Sequence, residues 1–428
     1  MLPRRKSQVS RRRVFYIPGY DPNPPRRYRE LYRSEGRKQA EVSGYEIDQK
    51  CEARETGWRV RAKIDGVSTV SKVDVLVWHD LLRGSMSAGI TGTYLALLRT
   101  CWLYLTTGTF RRLGWLAKGP VIAALYPVVI LLAQLSVALL GASLLASGAV
   151  WATYEVGAAL GSYLGQQQGA SGWLWTLVGA GVFWALFLPL TLGVLRWFKS
   201  KDDKTYAYYL MQGYAYSASK RGVYPDEIEA RLHEFRHRIE AALREDIDEV
   251  LIVGHSSGAQ MAVSIVADIV RLKCLSETGP ALSLLTLGQV IPMTSFLPEA
   301  KRIRRDLRLL ATAQEITWVD VSDPSDRCCF ALTDPVSVSG VSPGNSQQWP
   351  LILSAAFSEA LSPEWLASLK WRFFRLHFQY IFAFDRPGDF DYFKITAGPE
   401  TLGARFRGRR TSPSRIDVVA SCFTSTLT

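Results

Sequence analysis

The predicted fold depends most on Asp248-Glu-Val-Leu-Ile-Val-Gly-His-Ser-Ser-Gly-Ala-Gln-Met-Ala-Val263. Its first part, Val250–Val253, is a short aliphatic run rich in β-branched residues, which is typical of a strand buried on both faces. Gly254-His-Ser-Ser-Gly258 follows, and then an apolar-periodic segment without proline or glycine that predicts a helix. In this context the flanking glycines let two backbones pass closely, so that Ser256 sits on a sharp turn with its hydroxyl exposed.

Strand-like and helix-like patterns alternate along the rest of the chain outside residues 119–196. Short apolar runs are separated by segments with helical periodicity, and this alternation predicts a mostly parallel sheet with helices on both faces. The predicted fold class is therefore α/β. The strand-like runs are Val14–Ile17, Gly57–Ile64, Asp74–Asp80, Leu282–Leu287 and Glu315–Val321.

The succession of strand, G-x-S-x-G and helix resembles the α/β-hydrolase superfamily, in which this motif forms a nucleophile elbow. The resemblance implies that Ser256 is the nucleophile. It also implies a catalytic triad in the chain order Ser, Asp or Glu, His. Among the five histidines, His377 alone lies well beyond the elbow, so it is the expected general base. A structural histidine in an aromatic segment is the alternative for His377.

The triad acid is expected between Ser256 and His377, just after a strand. Asp320, Asp323 and Asp326 all follow or end the strand-like run that begins at Glu315. Asp320 lies within the strand, and Asp323 precedes a proline and suits a turn. Asp326 is followed by an apolar return and resembles the family's loop acid best, so it is preferred, with Asp323 as the alternative.

The loop after the first strand-like run, Pro18-Gly-Tyr20, resembles the segment that supplies half of an oxyanion hole in the family. The resemblance implies that the backbone amides of Tyr20 and Ser257 receive the oxyanion. A strand-ending turn without catalytic role is the alternative for the loop.

Residues 119–195 contain a single charged side chain, Glu155. Pro120–Trp151 and Trp173–Leu195 each exceed the roughly 20 apolar residues that cross a bilayer as a helix, and tryptophans flank both. The sequence therefore predicts a two-helix transmembrane hairpin at 119–196. It divides an α/β-hydrolase domain into an N-terminal part, 1–118, and a C-terminal part, 197–428, which carries the triad and a basic tail.

Basic residues flank the two predicted spans, whereas the connection between the spans has neither Lys nor Arg. The positive-inside rule then places both termini and the hydrolase domain in the cytoplasm. Six cysteines without framework spacing agree with a reducing compartment. Thr93–Leu105 is also apolar, but Arg99 at its centre argues against a third span and predicts an interfacial or core helix. The flanking basic residues are Arg111, Arg112, Lys118, Arg196, Lys199, Lys201 and Lys204.

The formal net charge is +12, and part of the excess lies in terminal tracts at Arg4–Lys6, Arg11–Arg13 and Arg405–Arg410. Next to predicted spans, such tracts favour contact with anionic lipid. Solvated tails are the alternative, and the absence of any nucleic-acid-binding motif argues against a nucleic-acid partner.

His233-Glu-Phe-Arg-His237 matches the H-E-x-x-H pattern of zinc peptidases. The apolar positions of this segment, from Ile228 to Leu243, place both histidines on the opposite, solvent-facing side of a helix. A solvated amphipathic helix is therefore the preferred interpretation, and neither metal nor cofactor is predicted.

The sequence as a whole predicts a membrane-anchored serine hydrolase of the esterase or lipase type. Ser256, His377 and Asp326 would transfer the acyl group of an apolar or lipid ester to water. Two alternatives remain: a catalytically inactive hydrolase-fold scaffold in the membrane, and a zinc peptidase that uses the His233–His237 helix.

Overall fold

The computed structural model describes residues 7–21, 24–51, 57–81, 89–163, 172–276, 278–386 and 388–427. These residues form two compact units. The first comprises the described residues within Met1–Ser85, Thr100–Ala124 and Ala215–Thr428, and the second those within Met86–Arg99 and Leu125–Tyr214. The division differs from the predicted boundaries at 118 and 196. Contacts distant in sequence cause the difference, since Tyr94 donates a hydrogen bond to the Leu131 carbonyl at 2.9 Å inside the second unit.

The first unit contains a mixed sheet whose described strands are β1 (Arg11–Ile17), β2 (Glu46–Cys51), β3 (Gly57–Ile64), β4 (Val67–Val75), β5 (Glu249–His255), β6 (Ala281–Leu287), β7 (Ile316–Ser322) and β8 (Leu351–Ser354). Their order across the sheet is β2-β3-β4-β1-β5-β6-β7-β8. The pairs β2·β3 and β3·β4 are antiparallel, whereas the five pairs from β4·β1 to β7·β8 are parallel. The predicted α/β class with a mostly parallel sheet is confirmed.

The sheet is covered on both faces, and its central strands β5 and β6 are buried at nearly every position. All seven residues of β5 are buried. Alternate residues point to opposite faces of a strand, and accordingly Val250 and Ile252 enter one hydrophobic cluster while Leu251 and Val253 enter another. The continuous apolar run therefore reflects burial on two sides, as the sequence predicts.

Helices precede, separate and follow the strands. In chain order, the described α-helices are α1 (Pro25–Ser43), α2 (Gly89–Thr106), α3 (Thr109–Leu116), α4 (Lys118–Tyr163), α5 (Gly172–Ser200), α6 (Asp202–Thr205), α7 (Ala207–Ala218), α8 (Asp226–Ala242), α9 (Gly258–Arg271), α10 (Pro292–Ser295), α11 (Lys301–Leu310), α12 (Pro335–Val338), α13 (Phe357–Ala360), α14 (Pro363–Leu369), α15 (Phe373–His377), α16 (Tyr392–Ala397) and α17 (Leu402–Arg405). Short 3-10 turns lie at Ser219–Gly222, Gly344–Ser346 and Gln379–Ile381.

Two details of the sheet differ from the sequence-based expectation. The strand expected at Asp74–Asp80 belongs to β4, which starts earlier, at Val67, and ends at Val75, where it pairs with Tyr16 of β1. β2 and β8 were not expected, since neither has a long apolar run. The strand expected at Gly57–Ile64 is confirmed as β3, whose residues mostly alternate between buried and exposed.

The second unit contains most of two long apolar helices. Lys118–Leu160 and Trp173–Ser200 are long and apolar enough to cross a membrane, and only 22% and 11% of their most apolar stretches are buried. The first helix continues to Tyr163, so part of the connection expected at Ala152–Gly172 is helical. Residues 164–171 of that connection lie outside the described residues.

The N-terminal basic tract Arg11–Arg13 forms part of β1 rather than a solvated tail. Arg12 is 1% exposed and pairs with the fully buried Glu249 at 2.6 Å. Arg13 pairs with Asp74 at 2.7 Å. These guanidinium groups balance acidic side chains of the first unit, so Arg12 belongs to the core. Arg4–Lys6 lies outside the described residues.

Candidate active site

Ser256 lies between the end of β5 and the start of α9. Its φ of 57° is left-handed, a conformation that costs energy for a residue with a side chain and persists only where the surroundings impose it. The Ser256 amide donates to the Leu287 carbonyl at 2.9 Å, which ties the turn to the end of β6. The side chain is partly exposed at the carboxyl edge of the parallel strands, where α/β sheets hold their ligands.

The two glycines that flank the serine motif occupy positions without room for a side chain. A Cβ at Gly258 would lie 2.2 Å from the Ile17 carbonyl oxygen, and one at Gly254 would lie 2.6 Å from the Ala259 Cα. The start of α9 thus passes directly against β1 and β5. This close approach is what holds Ser256 in its strained conformation.

His377 and Asp326 form a buried hydrogen-bonded pair. The His377 Nδ1 atom lies 2.7 Å from the Asp326 Oδ2 atom, and the two residues are 6% and 2% exposed. A carboxylate can only accept, so Nδ1 carries the proton and the lone pair of the neutral ring lies on Nε2. In the described part of the chain this Nε2 atom is buried without a hydrogen-bond partner. The pair therefore presents an unused proton acceptor.

The Asp326 carboxylate is kept ionised by its surroundings. Burial acts to raise its pKa, but the pairing with His377 and the hydrogen bond that the Cys328 amide donates at 2.9 Å outweigh burial and lower it. The Tyr380 hydroxyl adds a further hydrogen bond at 2.9 Å. Asp326 is thus an acceptor fixed by three donors.

The other two acids considered from the sequence serve structural purposes. Asp323 accepts hydrogen bonds from the amides of Ser325 and Phe357, both at 2.8 Å, and so shapes the turn after β7. Asp320 is fully buried in β7 and accepts a hydrogen bond from Thr286 at 2.5 Å, and burial raises its pKa to about 7. Among the described residues, the carboxylate bonded to His377 belongs to Asp326.

Tyr380 takes part in the site although the sequence analysis gave it no role. Besides donating to Asp326, its hydroxyl accepts a hydrogen bond from the Asp323 amide at 3.0 Å. Burial raises the pKa of Tyr380 well above its usual value, so the hydroxyl remains a donor. Its position three residues after His377 is the only sequence signal that could have pointed to it.

His255, inside the serine motif, packs against the expected base. Its ring is stacked on the His377 ring with centroids 4.9 Å apart. Its Nδ1 atom lies 3.0 Å from the Tyr16 hydroxyl and its Nε2 atom 3.1 Å from the His377 carbonyl oxygen. Burial, followed by the neighbouring His377, lowers the pKa of His255 to about 3, so the ring is neutral. His255 therefore fixes the plane of His377 without adding charge.

Ser256 and His377 lie at the same edge of the sheet but are not hydrogen-bonded to each other. His255 precedes Ser256 directly and stacks on His377. A Cβ at Gly288, the residue after β6, would lie 3.1 Å from the His377 Cε1 atom. Since the described residues provide no partner for His377 Nε2, the Ser256 hydroxyl does not bond to it in this structure.

The loop after β1 passes directly beside the serine. A Cβ at Gly19 would lie 2.9 Å from the Ser256 Cβ and 3.3 Å from its Oγ. The amide of the next residue, Tyr20, donates to the Ser257 Oγ at 3.0 Å. Tyr20 and Ser257, the two expected oxyanion donors, are therefore brought together. In this structure the Tyr20 amide is occupied by a side-chain oxygen that a substrate oxyanion would have to replace.

The H-E-x-x-H segment lies on α8, where Ile228, Leu232 and Phe235 are buried. The side chains of His233 and His237 are exposed, with their Nε2 atoms 3.2 Å apart. Zinc sites in proteins use at least three ligands, and the described residues contain no such group of His, Cys, Asp or Glu side chains. The structure thus places this motif on the solvent face of an amphipathic helix.

Comparison of the chain with protein-family models, with curated proteins and with solved structures gives no match. Functional conclusions therefore rest on the geometry of the residues described above.

Proposed function

We propose that the protein is a serine hydrolase of the α/β-hydrolase type that cleaves an ester bond and is anchored in a membrane. One observation carries this proposal: a buried Asp326–His377 pair keeps an unpartnered nitrogen at the sheet edge where a serine occupies a strained strand-to-helix turn. A buried ring nitrogen without a hydrogen-bond partner calls for an explanation, and a role as catalytic base is one.

The reaction uses side chains and backbone amides alone. The Ser256 hydroxyl attacks the ester carbonyl while His377 Nε2 takes its proton, and the imidazolium that forms is stabilised by the Asp326 carboxylate. The imidazolium then gives the proton to the alcohol oxygen. The ester C–O bond breaks, the alcohol departs, and the acyl group stays on Ser256. Water, deprotonated by the same imidazole, attacks this acyl group. The imidazolium then returns the proton to the Ser256 Oγ atom, which releases the acid and the free serine.

Two features of the free protein change when substrate binds in this mechanism. The Ser256–His377 hydrogen bond forms in the complex, as is common for catalytic hydrogen bonds that are long or absent in free enzymes. The Tyr20 amide exchanges the Ser257 hydroxyl for the developing oxyanion, which the Ser257 amide also receives. Each such donor contributes on the order of 10²–10³-fold in rate.

The membrane anchor is argued from the two long apolar helices. Their lengths exceed the roughly 20 residues needed to cross the hydrocarbon core, and few side chains of their most apolar stretches are buried, unlike those of a core helix of a soluble protein. Basic residues at and beyond the start of the first helix and the end of the second favour cytoplasmic positions for the two termini. An enzyme held at a bilayer meets apolar and lipid esters at high local concentration, so these are the proposed substrates.

A fluorophosphonate probe tests the hydrolase directly, because it phosphonylates only an activated serine. The detergent-solubilised full chain is expected to be labelled, and Ser256→Ala is expected to lose the label. Ser34→Ala, at an exposed serine on α1, is the matched control and should be labelled like the native protein. A folded native protein that takes no label would overturn the proposal.

A second candidate function is a hydrolase-fold scaffold without catalysis. The missing Ser256–His377 hydrogen bond and the occupied Tyr20 amide favour it. The same labelling experiment separates the two, since a scaffold leaves Ser256 unlabelled. A scaffold also hydrolyses no ester in a panel that runs from p-nitrophenyl acetate to phospholipids and is supplied in detergent.

A further inference from the structure

Large aromatic side chains are exposed immediately before His377. Trp365, Trp371 and Phe374 are 47%, 75% and 46% exposed. In the described part of the first unit, five aromatic side chains are this exposed, and these three lie within ten consecutive residues. We call Trp365, Trp371 and Phe374 the aromatic patch.

The segment that carries the aromatic patch is anchored in the first unit. Leu369 and Leu376 are 3% and 5% exposed and belong to one hydrophobic cluster of the sheet. α14 and α15 also pack against each other. The segment therefore has a buried side, and the three aromatic side chains lie on its exposed side. Phe374 is one helical turn before His377, so the patch adjoins the expected base.

Within the segment 363–377, which carries the aromatic patch, the charged side chains are mostly basic. Lys370 and Arg372 are exposed between the aromatic residues, and the Lys370 ammonium lies 5.7 Å from the centre of the Trp371 ring. Glu364 is the acidic residue of the segment. Tryptophan and phenylalanine beside lysine and arginine match a lipid interface, where aromatic rings sit at the headgroup level and cations pair with anionic headgroups.

We propose that the aromatic patch contacts a lipid surface with anionic headgroups, and that the active site takes its ester from that surface. The contact itself is independent of catalysis, whereas the delivery of a lipid ester rests on the proposed hydrolase function. A protein partner would also cover aromatic residues. The lipid is favoured because cations lie among the aromatic residues of the patch and because the chain itself carries two helices fit to enter a bilayer.

Nitroxide labels test the contact in the full chain, reconstituted in vesicles of phosphatidylcholine and phosphatidylglycerol. Trp371→Cys and Phe374→Cys carry the label on a Cys422→Ser background, and the signal of the labelled background is subtracted. Leu272→Cys is the matched control, because Leu272 is 56% exposed and lies one residue past α9, about 20 Å along that helix from Ser256.

For each nitroxide, the rate of collision with oxygen, which concentrates in lipid, is compared with the rate of collision with a nickel chelate, which stays in water. Positions 371 and 374 are expected to favour oxygen, and position 272 the chelate. The preference should weaken in vesicles of phosphatidylcholine alone. Chelate access at 371 and 374 equal to that at 272 would overturn the proposal. The proposal would also be overturned if the nitroxides at 371 and 374 collided with neither oxygen nor the chelate and their spectra were broadened by spin–spin coupling between copies. That result would indicate a protein contact.

The delivery of substrate has its own readout. The double variant Trp371→Ala/Phe374→Ala should hydrolyse a water-soluble short-chain ester at the native rate. Its rate on a long-chain ester embedded in vesicles should fall about tenfold or more, since apolar contact with the interface is lost. Equal rates on the vesicle ester would contradict delivery. If Ser256 takes no fluorophosphonate, the hydrolase proposal fails, and the nitroxide measurement still decides the contact.

Discussion

A single hydrogen bond, between His377 Nδ1 and the Asp326 carboxylate, determines which ring nitrogen can act as a base. Asp326 is held by the Cys328 amide and the Tyr380 hydroxyl, and His377 by the stacked ring of His255. Because these contacts fix the tautomer and the plane of the imidazole, the chemistry of the proposed site depends on a few buried atoms.

Replacing Asp326 by asparagine tests the assignment of the acid. An amide can hold the imidazole in the wrong tautomer, so the rate of fluorophosphonate labelling is expected to fall on the order of 10³–10⁴-fold. Asp323→Asn is the matched change, because its side-chain oxygen keeps one of the two backbone hydrogen bonds that the carboxylate accepts, and the label should attach at close to the native rate. A larger loss in Asp323→Asn than in Asp326→Asn would assign the acid to position 323.

At the scale of residues, the serine motif and the chain order suffice to propose two of the three triad residues. Ser256 followed from its motif and His377 from its place beyond the elbow, whereas the choice between Asp323 and Asp326 stayed open. Distance between side chains, which decides that choice, is not encoded in local pattern. For the same reason neither the stacking of His255 nor the hydrogen bond from Tyr380 could be predicted.

At the scale of elements, the turn between β5 and α9 is the feature that local sequence describes best. Its glycines are required by the close passage of α9 against β1, where a Cβ at Gly258 would lie 2.2 Å from a carbonyl oxygen. Backbone atoms cannot move aside as a flexible side chain can. The strained φ of Ser256 is thus a product of packing.

Gly258→Ala is expected to lower the free energy of unfolding by more than about 3 kcal/mol, since the methyl group overlaps backbone. Gly114→Ala is the control, because a Cβ there meets open space within α3 and alanine favours a helix by about 0.5–1 kcal/mol. Thermal unfolding of the two variants in detergent measures the difference. Similar midpoints for both would contradict the described turn.

Element boundaries were predicted less well than the elements themselves. β4 ends at Val75, at its last pair with β1, although the apolar pattern continues, and the extension of α4 to Tyr163 passes through residues whose pattern predicts a connection. Both outcomes depend on pairing or continuation that a local pattern does not contain. Burial on two faces, in contrast, leaves a local signal, a continuous run of apolar residues, and the central strands were accordingly predicted.

At the scale of the whole molecule, the proposed active-site residues come from both sides of the apolar helices in sequence. Tyr20 precedes them, and Ser256, Asp326 and His377 follow them, yet all four lie in the first unit. A chain that builds one site from both flanks needs both flanks in one compartment. The proposed topology, with two spans, satisfies this requirement.

Thiol labelling in intact cells tests that topology. Tyr163, at the end of α4, is 87% exposed, and Cys422 is an exposed native thiol near the C-terminus. A membrane-impermeant maleimide should label Tyr163→Cys from outside, and Cys422 only after permeabilisation. Labelling of Cys422 in intact cells would place the C-terminus outside and contradict the proposed orientation.

The α/β class and the two apolar helices were predicted from the sequence because both rest on hydrophobic patterns. The division into two units was not, since the packing of the start of α2 with Leu131 joins segments that no pattern links. Composition also misdirected one expectation: the Arg11–Arg13 tract was expected to contact anionic lipid or to form a solvated tail, but it lies in β1, where Arg12 forms a buried ion pair with Glu249.

The central claim is that His377 activates Ser256, and mass-spectrometric mapping of the fluorophosphonate adduct in native protein and His377→Ala tests it most directly. The account predicts an adduct on Ser256 in the native chain that forms at least about 10³-fold more slowly in the folded variant. An adduct on another serine, or equal rates in the two proteins, would contradict it.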